Sequence, residues 1–337
     1  MNQNERYYRK VISSIGVAML FFLLFLNLFA VGIGFVAVLP IENEVAMTVL
    51  YQLLYAAGYL LSFMVPVAIL KKLISASPYP YRSMYTTVRF SPWAFLAIPA
   101  GVALVFSASY VNATFVEIFH YSEFSSEFLW GTVTETPKAY QIVLEFIVIS
   151  LVPGFCEEFL FRGAILTNCL PFGRANAILI SAFLFALMHQ NAEQFFYTFV
   201  AGIIWGVMYE MTGSIWPGTI AHAFNNFISL SQGVLSTHFS DPLASEIAVI
   251  AFEAAILLCG VICLVVLVVR YFGKRRDLKE GIFGRTLPAS EHYAAYPVAS
   301  RRMLRLFWTP SMLTFVIFCA LQILLLIGMA VMYGTLG

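Results

Sequence analysis

Inside the long apolar stretches of this 337-residue chain lie Glu145, Glu157, Glu158, Arg162, His189, Glu210, His222 and Glu253, with Asn225 and Asn226 as uncharged companions. A charge at the centre of a bilayer costs about 2.5–3.5 kcal/mol on insertion scales, so such groups face the interior of a helix bundle and find partners there. The densest group is Phe155-Cys156-Glu157-Glu158-Phe159-Leu160-Phe161-Arg162-Gly163. On a helix Glu158 and Arg162 stand at i and i+4 with the acid N-terminal, the favourable order for an ion pair. Glu157 points roughly 100° away and must find its partner on another helix. The turn Pro171-Phe172-Gly173-Arg174 makes the next helix antiparallel, and Glu157 and His189 are each 16 residues from Gly173. That is about 24 Å of helix on both sides, so the two should lie at one depth.

A third group, His222-Ala223-Phe224-Asn225-Asn226, sets an imidazole and an amide at i and i+4 on one helical face, with Asn225 directed elsewhere. A carboxylate, two imidazoles and an amide on neighbouring helices suit the addition of water to a carbonyl. Glu157 can accept a proton from water that His189 helps to hold, and His222 and Asn226 can donate to the developing oxyanion. The reaction class is amide hydrolysis. Each piece also has a plain structural reading: the Glu-Arg pair as a lock, His189 as an interfacial hydrogen-bonder, and His222 with Asn226 as helix-helix glue. The three together, two of them on short helices, are hard to explain as independent accidents.

Other proteolytic chemistries can be checked. There is no H-E-x-x-H, and the two aspartates, Asp241 and Asp277, fall in loops, which removes the usual zincin helix and any pair of intramembrane aspartates. Two His and one Glu with a water is a catalytic zinc set, so Glu157, His189 and His222 as zinc ligands stand as the alternative to metal-free catalysis.

The elements that must position these residues follow from composition. Hydrophobic residues make up 61% and charged residues 11% of the chain, with a mean hydropathy of +0.84, which excludes an ordinary soluble domain. The fold expected is all-α, a polytopic membrane bundle of about nine helices over 11–39, 46–70, 91–113, 139–170, 175–190, 195–212, 214–231, 246–272 and 311–334. With the N-terminus inside, 17 of the 19 Lys and Arg residues fall on the cytoplasmic side, which supports both count and orientation. The expected location is a bacterial plasma membrane, with the first span as an anchor rather than a signal peptide. The division expected is 1–137 for N-terminal helices and an outer loop, 138–231 for the core, and 232–337 for C-terminal helices. The outer loop 114–138 reads as a candidate interfacial helix, and 273–310 as the basic cytoplasmic loop. Pro153-Gly154, just before the glutamates, should kink its helix and open a wet cavity around Glu157. The five cysteines show no paired C-x-x-C spacing and read as neither disulfides nor a zinc site, and a net charge of +1 gives no footprint for nucleic acid.

The E-E-x-x-x-R of Glu157 to Arg162, the F-x-x-x-H of Phe185 to His189 and the H-x-x-x-N of His222 to Asn226 resemble the motifs of the CPBP family. This is the CAAX protease and bacteriocin-processing (Abi) family of intramembrane proteases, which includes the type II CAAX prenyl endopeptidases. The resemblance covers residues 138–230. It implies that Glu157 is the catalytic glutamate, supported by Glu158 and Arg162, that His189 acts with Glu157 on the water, and that His222 and Asn226 form the oxyanion site. It further implies a membrane-embedded or membrane-anchored peptide or protein substrate and no cofactor.

The competing class is a transporter, immunity protein or scaffold using the same polar pocket for binding. Against it, no inverted repeat is visible and the polar residues concentrate in one quarter of the chain. Glu253 is a candidate partner of the pocket or a snorkelling group, Glu210 is expected solvated at a span end, Glu145 has no assignment, and His120, His238 and His292 read as loop residues. Truncation within 273–310 should be tolerated better than truncation anywhere in 138–230; equal loss of activity from both would displace the core.

Overall fold

The computed structural model describes residues 1–36, 39–83, 92–118, 139–273 and 296–334. Ten helices follow one another without a strand among these residues. They are α1 (Gln3–Val36), α2 (Glu44–Ser75), α3 (Pro92–Ile118), a composite α4 (139–172), α5 (Arg174–Met188), α6 (Ala192–Thr212), α7 (Trp216–His238), α8 (Pro242–Gly273), α9 (Ser300–Phe307) and α10 (Pro310–Gly334). Each of the nine apolar runs falls in one of them. Seven helices are long and apolar enough to cross a membrane, so the chain is an integral, multi-pass membrane protein. The other two runs form α5, which at 15 residues reaches only about 22 Å, and the more polar α7. His189 caps the end of α5, and α7 carries His222. Residues 119–138 and 274–295, with His120 and His292, lie outside the described residues; His238 is the last residue of α7.

Lipid is the solvent for the periphery. α8 and α10 turn out bare aliphatic faces, including Leu258, Val269, Leu321 and Leu325, each at least 60% exposed. The buried core instead gathers where the second half of α4 meets α5, α6 and the α1–α2 pair: from Leu160 to Phe172 every residue of α4 is buried.

α4 departs most from a regular helix. Pro153 has no N–H, so the Ile149 carbonyl loses its α-helical donor. The chain responds with a π-helical turn over Phe146–Leu151, closed by the Val152 N–H bonding five residues back to the Ile147 carbonyl. A short α segment, Val152–Glu158, carries both glutamates, and a second π-helical stretch follows at Phe159–Leu166. The widened turns expose carbonyls to other donors, and neighbouring side chains supply them. Ser181 of α5 donates to the Phe161 carbonyl at 2.9 Å, Thr167 to that of Arg162 at 2.9 Å, and Asn168 to that of Ala164 at 2.8 Å. The kink expected at Pro153-Gly154 is thus a pair of register changes framing the glutamates, and π turns inside α-helices are frequent at functional sites.

Segments expected on one side of the membrane meet at one end of the bundle. Tyr7 of α1 stacks on Tyr79 at 4.4 Å, meets Phe172 and Tyr296 edge-on, and donates to the Pro80 carbonyl at 2.9 Å. The Tyr296 N–H bonds the Pro171 carbonyl at 3.1 Å, and Met303 and Phe307 of α9 are buried. The segment 296–310, the end of the expected loop 273–310, is packed structure: Met303 and Phe307, four apart on α9, dock while Arg301, Arg302 and Arg305 stay exposed. Gly173, at φ 128°, makes the tight reversal from α4 into α5 that only glycine adopts readily.

Gly154 brings α4 against α7: a Cβ there would sit 2.8 Å from the Ala223 nitrogen. Gly154→Ala should destabilise the protein by about 1–3 kcal/mol through overpacking. Gly32→Ala, with nothing within 4 Å of the added carbon, should instead be neutral or stabilising. Thermal unfolding in detergent compares the two; equal effects would show that the α4–α7 approach is not tight.

Candidate active site

Arg162 is fully buried, and its surroundings compensate its charge from several directions. Its Nη1 bonds Glu158 Oε1 at 2.6 Å, its Nη2 donates to the Gly202 carbonyl at 3.2 Å, and its guanidinium lies 4.5 Å above the centre of the Phe185 ring. The ion pair read from the i, i+4 spacing is present, in the charge-assisted form that burial demands. Phe185 also presents itself edge-on to His189 at 5.3 Å and His222 at 5.7 Å, so one ring organises the cation and both imidazoles.

His222 links the two carboxylates. Its Nδ1 is 3.0 Å from Glu158 Oε1 and its Nε2 is 3.7 Å from Glu157 Oε2, while Trp205 of α6 lies nearly parallel to the ring at 6.4 Å. Glu158 accepts from Arg162, the partner read from the spacing, and orients His222 as well, and the latter contact crosses from α4 to α7 at the point where Gly154 lets them close. Glu157 reaches two other helices, as its separate orientation required. Its Oε2 faces His222, and its Oε1 accepts a hydrogen bond from the Tyr59 hydroxyl of α2. Oε2 itself has no hydrogen bond, and neither has the buried Nε2 of His189. His189 is the residue at which α5 ends, followed by Gln190 at φ 52° and by Asn191, whose side chain caps α6 by accepting from the Glu193 N–H at 2.8 Å. It joins the cluster through Phe185 and is close enough to His222 for electrostatic interaction.

Asn226 shares the His222 face of α7, and its amide donates to the Ile149 carbonyl at 3.3 Å. That is the carbonyl left without a helical donor by Pro153, so Asn226 also props the first π turn. Asn225 points elsewhere, as expected, and donates to the Tyr197 hydroxyl; Tyr197 in turn lies within electrostatic range of Glu157. Among the described residues no group of three or more His, Cys, Asp or Glu is arranged to hold a metal ion. The five cysteines are unpaired.

Two carboxylates lie outside this cluster. Glu210 is buried rather than solvated, at 3% exposure, and is ion-paired with Arg174, whose side chain is 48% exposed. Arg174 opens α5 and bridges to α6, snorkelling its charge while covering the acid. Glu253 does not join the pocket: its carboxylate accepts from Tyr110 of α3 at 2.5 Å and Gln232 of α7 at 2.6 Å, tying α8 to both. Sequence reasoning missed Tyr59, Trp205 and Tyr197. Only Tyr59 left a trace, as the third member of Tyr51, Tyr55 and Tyr59, spaced by four and followed at the same interval by Phe63.

Arg162→Met should cost about 3–5 kcal/mol, because it strands a buried carboxylate. The double variant Arg162→Met/Glu158→Gln should be less destabilised than the single one, a coupling read from denaturation of the three proteins beside wild type. Additive effects would mean that the pair contributes no mutual compensation.

Comparison with known proteins bears on the same segment. Residues 139–228 match the family model described as type II CAAX prenyl endopeptidase Rce1-like, a stretch that runs from the start of α4 into α7 and contains all three motifs. No curated protein and no solved structure matched the chain. The segment that builds this cluster is thus similar to the Rce1-like type II CAAX prenyl endopeptidases, in line with the CAAX protease (CPBP) motifs it carries.

Proposed function

We propose that the cluster hydrolyses a peptide bond of a membrane-associated or prenylated, CAAX-type substrate, with water activated by Glu157 and without a metal. The observation that carries this reading is Glu157 Oε2, buried without a hydrogen bond and 3.7 Å from His222 Nε2, with the Nε2 of His189 also buried and unbonded. Buried polar atoms are nearly always bonded, and these are the two lone-pair or donor sites that a base and its helper require.

In the proposed reaction Oε2 takes a proton from a water held with His189, as the water oxygen forms a bond to the scissile carbonyl carbon. The carbonyl π pair moves onto oxygen, where the second N–H of Asn226 donates to it together with the Nε2–H of His222, carried as an imidazolium whose Nδ1–H is given to Glu158. Collapse of the tetrahedral species breaks the C–N bond, and the proton on Glu157 passes to the leaving amine. Glu158 and Arg162 act through His222: Glu158 holds Nδ1, which directs Nε2 toward the reacting side. The division of labour makes Glu157, His189, His222 and Asn226 the groups that touch reacting atoms. We place the N-terminus in the cytoplasm; the gathering of the basic N-terminal segment, residues 76–83 and 296–305 at one end of the bundle supports that orientation.

Purified protein should cleave members of a panel of membrane-tethered and CAAX-type peptides. Glu157→Ala should lower the rate by at least about 100-fold, the scale of a lost general base, and a chelator should have no effect. Loss of cleavage with chelator would move the assignment to zinc. A wild type that cleaves nothing, or an equally active Glu157→Ala, would favour the binding or transport alternative.

A further inference from the structure

The hydrolytic reading leaves unexplained why one oxygen of Glu157 acts and the other does not. A carboxylate rotates easily about its last bond and presents two equivalent atoms. Here they are made different by a residue outside the segment that carries the motifs. Tyr59, on α2, donates its hydroxyl to Oε1, leaving Oε2 turned toward His222 without a hydrogen bond. The phenol is itself held: its ring stacks on Phe63 at 4.8 Å and on Tyr55 at 5.9 Å, and Phe63 in turn packs edge-on against Phe22 of α1 at 5.0 Å. The column is fixed by four-residue spacing along one face of α2 and by the α1–α2 hairpin behind it.

We propose that Tyr59 is the positioning residue of the catalytic glutamate: its hydroxyl occupies Oε1, locks the carboxylate plane, and so selects Oε2 as the base. The proton of Tyr59 stays on the phenol throughout, and only Oε2 exchanges a proton with water and the leaving amine. The inference rests on the hydrolytic reading and extends it to α2, which lies outside residues 139–228. A consequence is that the active site requires the α1–α2 hairpin to be docked.

The test compares Tyr59→Phe, Tyr59→His and Tyr110→Phe in the purified full chain against the peptide panel. Tyr59→Phe keeps the ring column and removes the donor; its kcat should fall about 10- to 100-fold, the range for a hydrogen bond to a charged group. KM should move by less than about twofold, because the contact acts on the base and not on the substrate. Tyr59→His, which keeps a ring and a donor, should recover part of kcat. Tyr110→Phe, which removes an equivalent phenol donor at Glu253, should keep wild-type kcat. In a Glu157→Gln background, Tyr59→Phe should bring no further loss. A purely structural role would lower the unfolding temperature and would not be rescued by histidine. Wild-type kcat in Tyr59→Phe, with Glu157→Gln inactive, or equal kcat in the Phe and His variants, would overturn the inference and leave glutamate hydrolysis standing. A wild type that cleaves no peptide would overturn both.

Discussion

A guanidinium sealed from water and lipid constrains everything around it. Removing an unpaired charge from water into an apolar medium costs far more than a domain's entire net stability, so Arg162 can be buried only where acceptors converge. Glu158 supplies one from the same helix, Gly202 supplies a carbonyl from α6, and Phe185 of α5 supplies a π face. Three helices are thereby fixed about a single side chain. Because Glu158 also binds His222, the constraint passes to α7, and the position of the imidazole follows from the position of the cation.

The backbone of α4 makes this arrangement reachable. A regular α-helix through 146–166 would fix the azimuth of Glu157, Glu158 and Arg162 relative to both ends of the membrane span. Two π-helical stretches break that relation, so the segment with the glutamates can be rotated to face α7 and α2 while the helix still spans. The irregularity has a local chemical cause in Pro153 and a tertiary one in the donors that satisfy the freed carbonyls. Ser181, Thr167, Asn168 and Asn226 occupy places where an ordinary membrane helix would need no polar side chain.

Legibility in the sequence tracked the range of the interaction. The Glu158–Arg162 pair is set by helical geometry over four residues and could be read directly, as could the helical runs and the separate facing of Glu157. The hydroxyl that binds Glu157 comes from a residue 98 positions earlier, with no local pattern beyond an aromatic spacing, so only the packing of α2 against α4 reveals it. Glu210 was misread because its partner, Arg174, lies on another helix and snorkels. Asn226 was legible as a partner of His222 on one face, but its bond to Ile149 depends on a carbonyl freed by a proline 73 residues away. The π turns had no signature beyond Pro153 and Gly154.

The pairing of Glu158 with Arg162 inside one helix also bears on how the protein is made. A helix entering the bilayer alone meets the full cost of any charge that lacks a partner, and a partner on a later helix does not yet exist at that moment. α4 carries its own, four residues along, so its strongest cation enters already compensated. Glu157 is different: its contacts come from α2, inserted before it, and from α7, inserted after it. Of the two glutamates of α4, the one assigned to chemistry is thus the one with no partner in its own helix, and its contacts are complete only when the last motif helix has closed over it. On the proposed hydrolytic reading, assembly order and activity meet at Glu157 Oε2.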